Sequence, residues 1–309
     1  MPAIDTSYRA GAPTCLAIGN FDGVHLGHRA LLSRALERAL ALGVAPTVLT
    51  FDPHPAQVLG RGAPPQLTTL PQKSELLHAF GFAHVLALGF DAALAATSAE
   101  DFARRILFEQ LAARVVAVGE NYRFGRGRAG DVAMLHALGA AHGVEIVALP
   151  LFGETPGLDA TSGVVSSSRI REALADGRVA DARRMLGRPH RIAGTVIRGD
   201  ALGRTLGYPT ANLGGIATLV PNLGVYAVDV RRGGRLLGRG ALNVGTRPTV
   251  TSSNELRVEV YVLDFDDDLY GSELEIDFLA HIRDDAKFDS LDALKEAIAS
   301  DVTVARLAR

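Results

Sequence analysis

The sequence predicts two units, a doubly wound α/β layer followed by a small antiparallel β-barrel with a C-terminal helix. Up to about residue 150, short apolar runs alternate with segments of helical periodicity, which is typical of a parallel sheet with right-handed crossovers. After Gly187-Arg188-Pro189, helical periodicity gives way to short β-rich runs. A chain of 309 residues is also long for one hydrophobic core. We therefore expect one domain over residues 1–186 and a second over 187–309.

The first half alternates predicted strands with predicted helices. The strands are Thr14–Ile18, Pro46–Phe51, Ala83–Leu88, Arg114–Val118 and Val144–Leu149. The helices between them are Leu26–Leu42, Pro71–Phe80, Ala99–Leu111 and Asp131–His142. A surface loop is predicted for Phe152–Gly163, where Gly, Pro, Thr and Ser are frequent, and two short helices follow at Ser167–Ala175 and Val179–Leu186.

The second half contains runs with hairpin spacing. The predicted strands are Arg191–Ile197, Gly224–Val230, Leu236–Val244, Leu256–Leu263 and Leu274–Ile282. Turns are predicted at Arg232-Gly233-Gly234 and at the acidic triplet 266–268, which we interpret as a solvated turn rather than a metal site. A last helix is predicted to begin after Ser290, with a buried stripe formed by Leu291, Leu294, Ala297 and Ile298.

Composition is that of an ordinary soluble globular protein. Hydrophobic residues make up 48% and charged residues 21%, and the net charge of −2 suggests neither a nucleic-acid surface nor an anionic membrane partner. No signal peptide or membrane span is recognisable, so we expect a cytoplasmic location. The single cysteine, Cys15, excludes an internal disulfide and is predicted to be a small buried apolar residue.

The run GNFDGVHLGH, residues 19–28, is the most informative motif. It connects a predicted strand to a predicted helix through a glycine-rich turn, which places backbone N–H groups and a positive helix end at one spot. His25 and His28, one helical turn apart, could donate hydrogen bonds to phosphate oxygens there. This His-x-Gly-His arrangement resembles the adenylyl- and cytidylyl-transferase superfamily. Arg169 and Arg171, in the first turn of a later helix, oppose its dipole and favour a further anion contact.

A second glycine-rich segment, residues 198–213, lies in the barrel half. Gly199, Gly203 and Gly207 recur every four residues, which would let the backbone bend closely around an anion. Thr210 and Asn212 carry hard oxygen donors that suit Mg²⁺ and point the same way in an extended chain. An ordinary glycine-rich hairpin is an equal alternative from spacing alone, and the segment is not a Walker loop. The alternation of Leu256–Leu263 places Glu259 on the polar face of its strand, where pattern alone assigns no chemistry.

These motifs together resemble the prokaryotic bifunctional riboflavin kinase/FAD synthetase family, from end to end of the chain. The motifs similar to its adenylyltransferase module are GNFDGVHLGH, TFDPHP (Thr50–Pro55), GENYRFG (Gly119–Gly125) and SSSRIR (Ser166–Arg171). Those similar to its flavokinase module are GRTLGYPTANL (Gly203–Leu213), GVYAV (Gly224–Val228), NVGTRPTV (Asn243–Val250), VEVYVLDF (Val258–Phe265) and DLYG (Asp268–Gly271). Positions that depart from the commonest pattern, without removing a proposed catalytic group, are Tyr122, Ser168, Tyr208 and Tyr261.

The resemblance implies two successive reactions on small molecules, with ATP as co-substrate and Mg²⁺ as cofactor. The C-terminal module would phosphorylate riboflavin to FMN, with Glu259 as the base, Thr210 and Asn212 holding Mg²⁺ and ATP phosphates, and Arg283 and Phe288 binding the flavin. The N-terminal module would adenylylate FMN to FAD, with His25 and His28 stabilising the α-phosphate. The residues implied in ATP binding there are Gly19, Asn20, Phe21, Asp22, Gly23, Gly27, Asn121, Ser167, Arg169 and Arg171; in the kinase they are Gly199, Gly203, Gly207, Thr210 and Asn212.

Two alternatives stay open from the sequence. The His-x-Gly-His motif is shared with transferases that act on quite different substrates, so the N-terminal module could transfer a nucleotide to something other than FMN. A flavin or nucleotide sensor without turnover is the other alternative. The presence of His25, His28 and Glu259 disfavours a sensor, because a sensor has no need of a base or of transition-state donors.

Overall fold

The computed structural model of the chain describes residues 3–5, 7–60, 62–150, 152–153, 163–199, 203, 206–247 and 255–308. These residues form two compact units that divide between Ser166 and Ser167, with residues 65–67 joining the second unit. The expected domain boundary at 186/187 therefore differs from the division between compact units. Most of the loop expected at Phe152–Gly163 lies outside the described residues.

The first unit contains all five strands predicted for it. Its strands are β1 (Ala3–Ile4), β2 (Thr14–Ile18), β3 (Ala45–Asp52), β4 (His84–Gly89), β5 (Ala113–Gly119) and β6 (Glu145–Leu149). Its helices are α1 (Leu26–Leu42), α2 (Pro55–Val58), α3 (Leu70–Phe80), α4 (Ala92–Ala96), α5 (Ala99–Asp101) and α6 (Val132–His142). The short elements β1, α2 and α4 are the ones that periodicity missed, because two to five residues are too few to show a period.

One predicted helix has a different geometry. The segment expected as a single α-helix over Ala99–Leu111 begins as α5 and continues as a π-helix over Phe102–Gln110. Its end shows the wider hydrogen bonding, since the Leu111 N–H donates to the Ile106 carbonyl at 3.0 Å. Its apolar residues Phe102, Ile106 and Leu107 are nevertheless buried, as in an ordinary amphipathic helix.

The sheet is wholly parallel and has the strand order β1-β4-β3-β2-β5-β6. The first strand, β1, lies at one edge next to β4. The chain then enters the middle of the sheet at β2, winds outward through β3 and β4, and returns to build β5 and β6 on the other side. The winding direction reverses between β2 and β5. In open sheets of this type, ligands bind in the crevice outside the carboxyl ends of the strands at that switch point.

Each face of the sheet carries its own core. Leu16 and Ile18 of β2 belong to one hydrophobic cluster, and Cys15 and Ala17 of the same strand belong to the other, together with the apolar side of α1. The prediction for Cys15 is confirmed, since its side chain is fully buried. Burial, with a smaller contribution from Glu145, raises the pKa of the Cys15 thiol to about 11.

The second unit contains a closed antiparallel barrel of six strands. Its elements are α7 (Ser167–Ala175), α8 (Val179–Leu186), β7 (His190–Ile197), β8 (Thr210–Gly214), β9 (Gly224–Arg232), β10 (Arg235–Arg247), β11 (Glu255–Val262), β12 (Glu273–Arg283) and α9 (Leu291–Leu307). The order around the barrel is β10-β11-β8-β7-β12-β9. The helix α8 packs against β7 and β12, which is why the two short helices join this unit.

Most local predictions for the second unit are confirmed, and two are wrong. The turn at Gly233-Gly234 joins β9 to β10 with φ values of 56° and 76°, as a two-residue hairpin requires. Ser290 caps α9 by accepting a hydrogen bond from Ala293 N–H at 3.1 Å. The sequence missed β8, which is one of the two errors. The other is the buried stripe expected on α9: Leu291, at the first position of the helix, is 63% exposed, and Leu294, Ala297 and Ile298 are only half-buried. The buried residues of α9 are instead Asp301 and Ala305. Among the helices that the structure describes, none is long and apolar enough to span a bilayer.

Candidate functional site

The loop between β2 and α1 occupies the switch point in a strained conformation. Phe21 and Val24 have φ values of 47° and 42°, and Gly23 between them has 85°. Residues other than glycine rarely adopt such backbone angles. Where they do, the surrounding structure enforces the conformation, often at a functional site. The carboxylate of Asp22 supplies this constraint by accepting hydrogen bonds from the backbone N–H (3.1 Å) and the hydroxyl (3.2 Å) of Thr68.

The two histidines of the motif stack on one another at the start of α1. Their ring centroids are 3.5 Å apart at an angle of 18°. His25 is the N-cap residue, and its Nδ1 accepts the backbone N–H of His28 at 3.2 Å. Because Nδ1 is an acceptor, a neutral His25 carries its proton on Nε2. The structure therefore presents His25 as an Nε2 donor.

His28 is held in its neutral form. Burial, followed by the neighbouring His25 and Lys73, lowers the pKa of His28 well below its ordinary value of 6.5. Its Nδ1 atom is buried and has no hydrogen-bond partner within the described part of the chain. Phe21 contacts the ring edge-on at 5.2 Å between centroids. A neutral imidazole with hydrogen-bonding capacity left over is suited to recognise an incoming polar group.

Lys73 is a residue that the sequence reasoning missed. It lies on α3 with only 8% exposure, and its ammonium donates to the Thr50 hydroxyl at 3.4 Å. Thr50 in turn donates to the Asn20 carbonyl at 3.2 Å, so a chain of two hydrogen bonds connects the lysine to the β2–α1 loop. Burial lowers the pKa of Lys73, and the charges of Asp22 and Asp52 oppose that effect. The available signal was a charge four residues before Leu77, on the buried side of α3.

A cavity of about 430 Å³ opens at the same crevice. Gly19, Asn20 and Asn121 line it at the strand ends, so the structure brings these three predicted residues together. His54 of the second motif also lines it and contacts the Asn20 amide at 3.1 Å. The rest of the wall is rich in aromatic side chains, namely Phe51, Phe90, Phe102, Tyr122 and Phe124. The rings of Tyr122 and Phe124 are stacked, with their centroids 5.5 Å apart. An aromatic wall of this kind suits a planar ring system.

The remaining predicted residues of this site belong to other parts of the fold. Gly27 lies in the first turn of α1, where a Cβ would come within 3.2 Å of the His25 ring. Ser167, Arg169 and Arg171 lie on α7, in the second compact unit rather than in the unit that holds the histidines. Arg171 donates from Nε to the Pro65 carbonyl at 2.7 Å.

The barrel brings three predicted residues together on neighbouring strands. Asn212 of β8 lies opposite Glu259 of β11 in the register, and Thr210 Oγ1 lies 3.5 Å from Glu259 Oε1. Arg257, which the sequence did not single out, connects the group: it donates from Nη2 to Glu259 Oε1 at 2.7 Å and from Nε to Asn212 Oδ1 at 3.2 Å.

The glycines of the barrel motif make room for this cluster. A Cβ on Gly199 would overlap the Asn212 side chain, and one on Gly203 would overlap the Tyr208 carbonyl. Gly207 has a φ of 87°, which favours glycine. Motif residues Arg204, Thr205 and 248–250 lie outside the described residues.

Two cavities adjoin the cluster. One of about 520 Å³ is lined by Thr210, by the apolar side chains Val196, Val260 and Val262, and by the exposed acidic turn 266–268. The other, of about 330 Å³, is lined by Gly199, Asn212 and Arg257. Thr210 and Asn212 therefore line different cavities.

Arg283 and Phe288 lie next to one another before α9. Arg283 binds both carboxylate oxygens of the buried Asp301, at 3.0 and 2.8 Å, and its guanidinium lies 5.3 Å from the Phe288 ring centroid. The ion pair fixes the guanidinium, and the stacked Phe288 is fixed with it.

Comparisons with known proteins agree on both halves of the chain. The family model described as FAD synthetase matches residues 9–168, and the one described as riboflavin kinase matches residues 186–308. Proteins named bifunctional riboflavin kinase/FMN adenylyltransferase from Escherichia coli (strain K12) and Pseudomonas fluorescens are each 41% identical over 94% of this chain, covering 91% and 92% of their own lengths. The crystal structure titled macrolide-efflux protein from Streptococcus pneumoniae is 30% identical, with a TM-score of 0.87 over 98% of both chains.

Proposed function

Because the chain belongs to the bifunctional riboflavin kinase/FMN adenylyltransferase family, we propose a specific division of labour among its residues. The enzyme phosphorylates riboflavin to FMN with its C-terminal module and adenylylates FMN to FAD with its N-terminal module. The match to FAD synthetase answers the question of the second substrate that the His-x-Gly-His motif left open. Each of the two steps uses its own set of side chains.

In the N-terminal module, an FMN phosphate oxygen attacks the α-phosphorus of ATP, and the bond to the leaving pyrophosphate breaks. The N-terminus of α1 offers N–H groups and a positive dipole end to the triphosphate. His25 and His28 donate hydrogen bonds to the α-phosphate oxygens, on which charge builds in the transition state. The observation that carries this assignment is the stacked histidine pair, with Nδ1 of His25 accepting from the backbone.

The surroundings of the histidines support the same reaction. Lys73 adds a buried positive charge next to the β2–α1 loop, and Asn121, which lines the cavity at the strand ends, positions the nucleotide. The aromatic wall of the 430 Å³ cavity favours the flavin ring of FMN as its occupant, since that ring is planar and largely apolar. Positioning and charge stabilisation thus supply most of the catalysis, because phosphoryl-type transfers leave little covalent work to the protein.

In the C-terminal module, the riboflavin 5′-hydroxyl attacks the γ-phosphorus of ATP, and ADP leaves. Glu259 accepts the hydroxyl proton. Phe288, held by the Arg283–Asp301 pair, offers a ring face to the flavin. Asn212 lies directly opposite Glu259 in the strand register, and the Thr210 hydroxyl contacts the Glu259 carboxylate. Both residues are close to the glycine backbone that would approach the phosphates.

The same residues fit a magnesium ion. Mg²⁺ prefers oxygen ligands and commonly binds through one or two protein oxygens together with substrate phosphates. Thr210 and Asn212 provide such oxygens. Although they line different cavities, both side chains contact the Arg257–Glu259 pair between those cavities. The close fit of Asn212 against Gly199 holds the amide in place. Bound Mg²⁺ would neutralise charge on the β- and γ-phosphates of ATP. Since both reactions consume ATP, we also propose a cytoplasmic location.

Complementation between two variants tests the division of labour. His28→Ala should convert riboflavin only to FMN, whereas Glu259→Ala should produce FAD from added FMN but not from riboflavin. Neither variant alone should convert riboflavin to FAD, and an equimolar mixture should do so. Flavin products would be separated by chromatography. If His28→Ala stopped FMN formation, or if the mixture stayed inactive while each variant kept its remaining activity, the assignment would fail.

A further inference from the structure

We infer that Arg257 is a positioning residue for riboflavin phosphorylation, which holds Glu259 and Asn212 in one fixed arrangement. This inference rests on the role proposed for Glu259. Arg257 and Glu259 are two residues apart on β11, so their side chains share one face of the strand. Asn212 is the direct cross-strand neighbour of Glu259 on β8.

A single planar group connects the two partners. The Nε and Nη2 atoms of an arginine lie on the same edge of the guanidinium, and here they donate to different residues. Nη2 binds Glu259 Oε1 at 2.7 Å, and Nε binds Asn212 Oδ1 at 3.2 Å. Because the guanidinium is rigid, fixing one of these bonds also fixes the direction of the other. The base of the reaction and a proposed metal ligand are thereby aligned by the same side chain.

The arrangement leaves the reactive positions open. Within the described part of the chain, both hydrogen bonds to the Glu259 carboxylate, from Arg257 and from Thr210, reach Oε1. The second oxygen, Oε2, keeps its lone pairs for a substrate hydroxyl. The Asn212 carbonyl oxygen has two lone pairs, and the contact with Arg257 uses only one of them. Arg257 therefore orients both side chains without occupying the atoms that the reaction needs.

An ion pair elsewhere in the same barrel, with similar exposure, has a different arrangement. The Arg239–Asp229 pair of the same barrel joins β10 to β9 at 3.4 Å, and its two side chains are 29% and 22% exposed. Arg257 and Glu259 have similar exposures of 29% and 17%, but their contact is shorter and extends to a third residue. Arg239 is thus a matched control, because its substitution removes an arginine of equal exposure from the same barrel.

The test compares Arg257→Gln, Arg257→Lys and Arg239→Gln in the full-length enzyme. Riboflavin phosphorylation is measured with Mg²⁺ and ATP, and FAD formation from added FMN is measured on the same samples. Arg257→Gln should lower the kcat of phosphorylation by about 10²-fold, the scale of a misplaced reacting group. The KM for riboflavin should change little. Arg257→Lys should lower kcat less than Arg257→Gln does, since the ammonium keeps the positive charge but cannot donate in the fixed two-pronged geometry of a guanidinium. Arg239→Gln should keep normal kcat.

A double-mutant cycle with Glu259→Gln separates this inference from the proposal beneath it. If Arg257 acts through Glu259, then adding Arg257→Gln to Glu259→Gln should lower kcat far less than it does in the parent enzyme. Equal losses in both backgrounds, or an unchanged kcat in Arg257→Gln, would overturn the inference while Glu259 keeps its role. An active Glu259→Gln enzyme would instead overturn the role of Glu259. Riboflavin and ATP binding by each variant, followed by flavin fluorescence, shows that the barrel is folded.

Discussion

Replacing His28 with alanine tests whether this ring stabilises charge in the adenylyl-transfer step. The ring lies at the switch point of the sheet, stacked on His25 at 3.5 Å, and retains a buried nitrogen without a partner among the described residues. It therefore has hydrogen-bonding capacity that the protein itself does not use. Removal of one preorganised donor to a developing oxyanion costs about 10²- to 10³-fold in rate, or about 2.7–4 kcal/mol in the transition state. We expect a loss of that size in FAD formation.

The two activities of the chain make the measurement self-controlled. FMN and ATP are supplied directly, and pyrophosphate release reports the N-terminal module. Riboflavin phosphorylation by the same sample reports the barrel, and its rate should be unchanged. His28→Gln provides a second control, because a glutamine amide is a neutral donor of similar reach. If His28 acts as a neutral donor, as its lowered pKa implies, the glutamine variant should recover part of the lost rate.

Several results would contradict the reasoning. An equal loss of both activities would indicate general damage rather than a local role. A normal rate of FAD formation in His28→Ala would remove the side chain from the mechanism. Thermal unfolding of both variants distinguishes these cases, since the stacked ring also contributes packing against His25 and Phe21.

Three further predictions concern the barrel and the pH dependence of stability. Glu259→Ala should lower FMN formation by about 10²- to 10⁴-fold, the range for general-base catalysis, and a normal rate would exclude the base assignment. Gly199→Ala should lower kinase kcat by about 10²-fold through displacement of Asn212, whereas Gly11→Ala, whose new methyl group meets open space, should have no effect. Below about pH 6.5, His28 is protonated in the unfolded chain but stays neutral in the folded chain. As the pH is lowered further, the free energy of unfolding should therefore decrease by up to about 1.4 kcal/mol per pH unit. Denaturant titrations between pH 5 and 8 should show a shallower fall in His28→Gln, and identical slopes would refute the assigned pKa direction.

Local periodicity was sufficient for the elements that carry the nucleotide motif. The predicted bounds of the first strand and helix coincide with β2 (Thr14–Ile18) and α1 (Leu26–Leu42). Their apolar residues are numerous and regularly spaced, so tertiary structure had little to override. The buried charge of Lys73 was also visible in the sequence, as an interruption of the apolar side of α3. Its depth and its hydrogen bond to Thr50 depend on packing between elements, which a sequence pattern does not specify.

The barrel cluster shows where such reasoning stops. The strand β8 was missed because glycines and a proline precede it, and these residues favour a loop. Alternation along β11 correctly separates Glu259 from the buried valines, but alternation does not say which strand is its neighbour. Only the pairing of β11 with β8 brings Asn212 opposite Glu259, and only then does the next polar residue on that face, Arg257, reach both. A shift of one residue in this register would turn Asn212 away from Glu259 and dissolve the cluster. The grouping of Glu259, Asn212 and Arg257 therefore depends on strand register, which alternation along one strand does not specify.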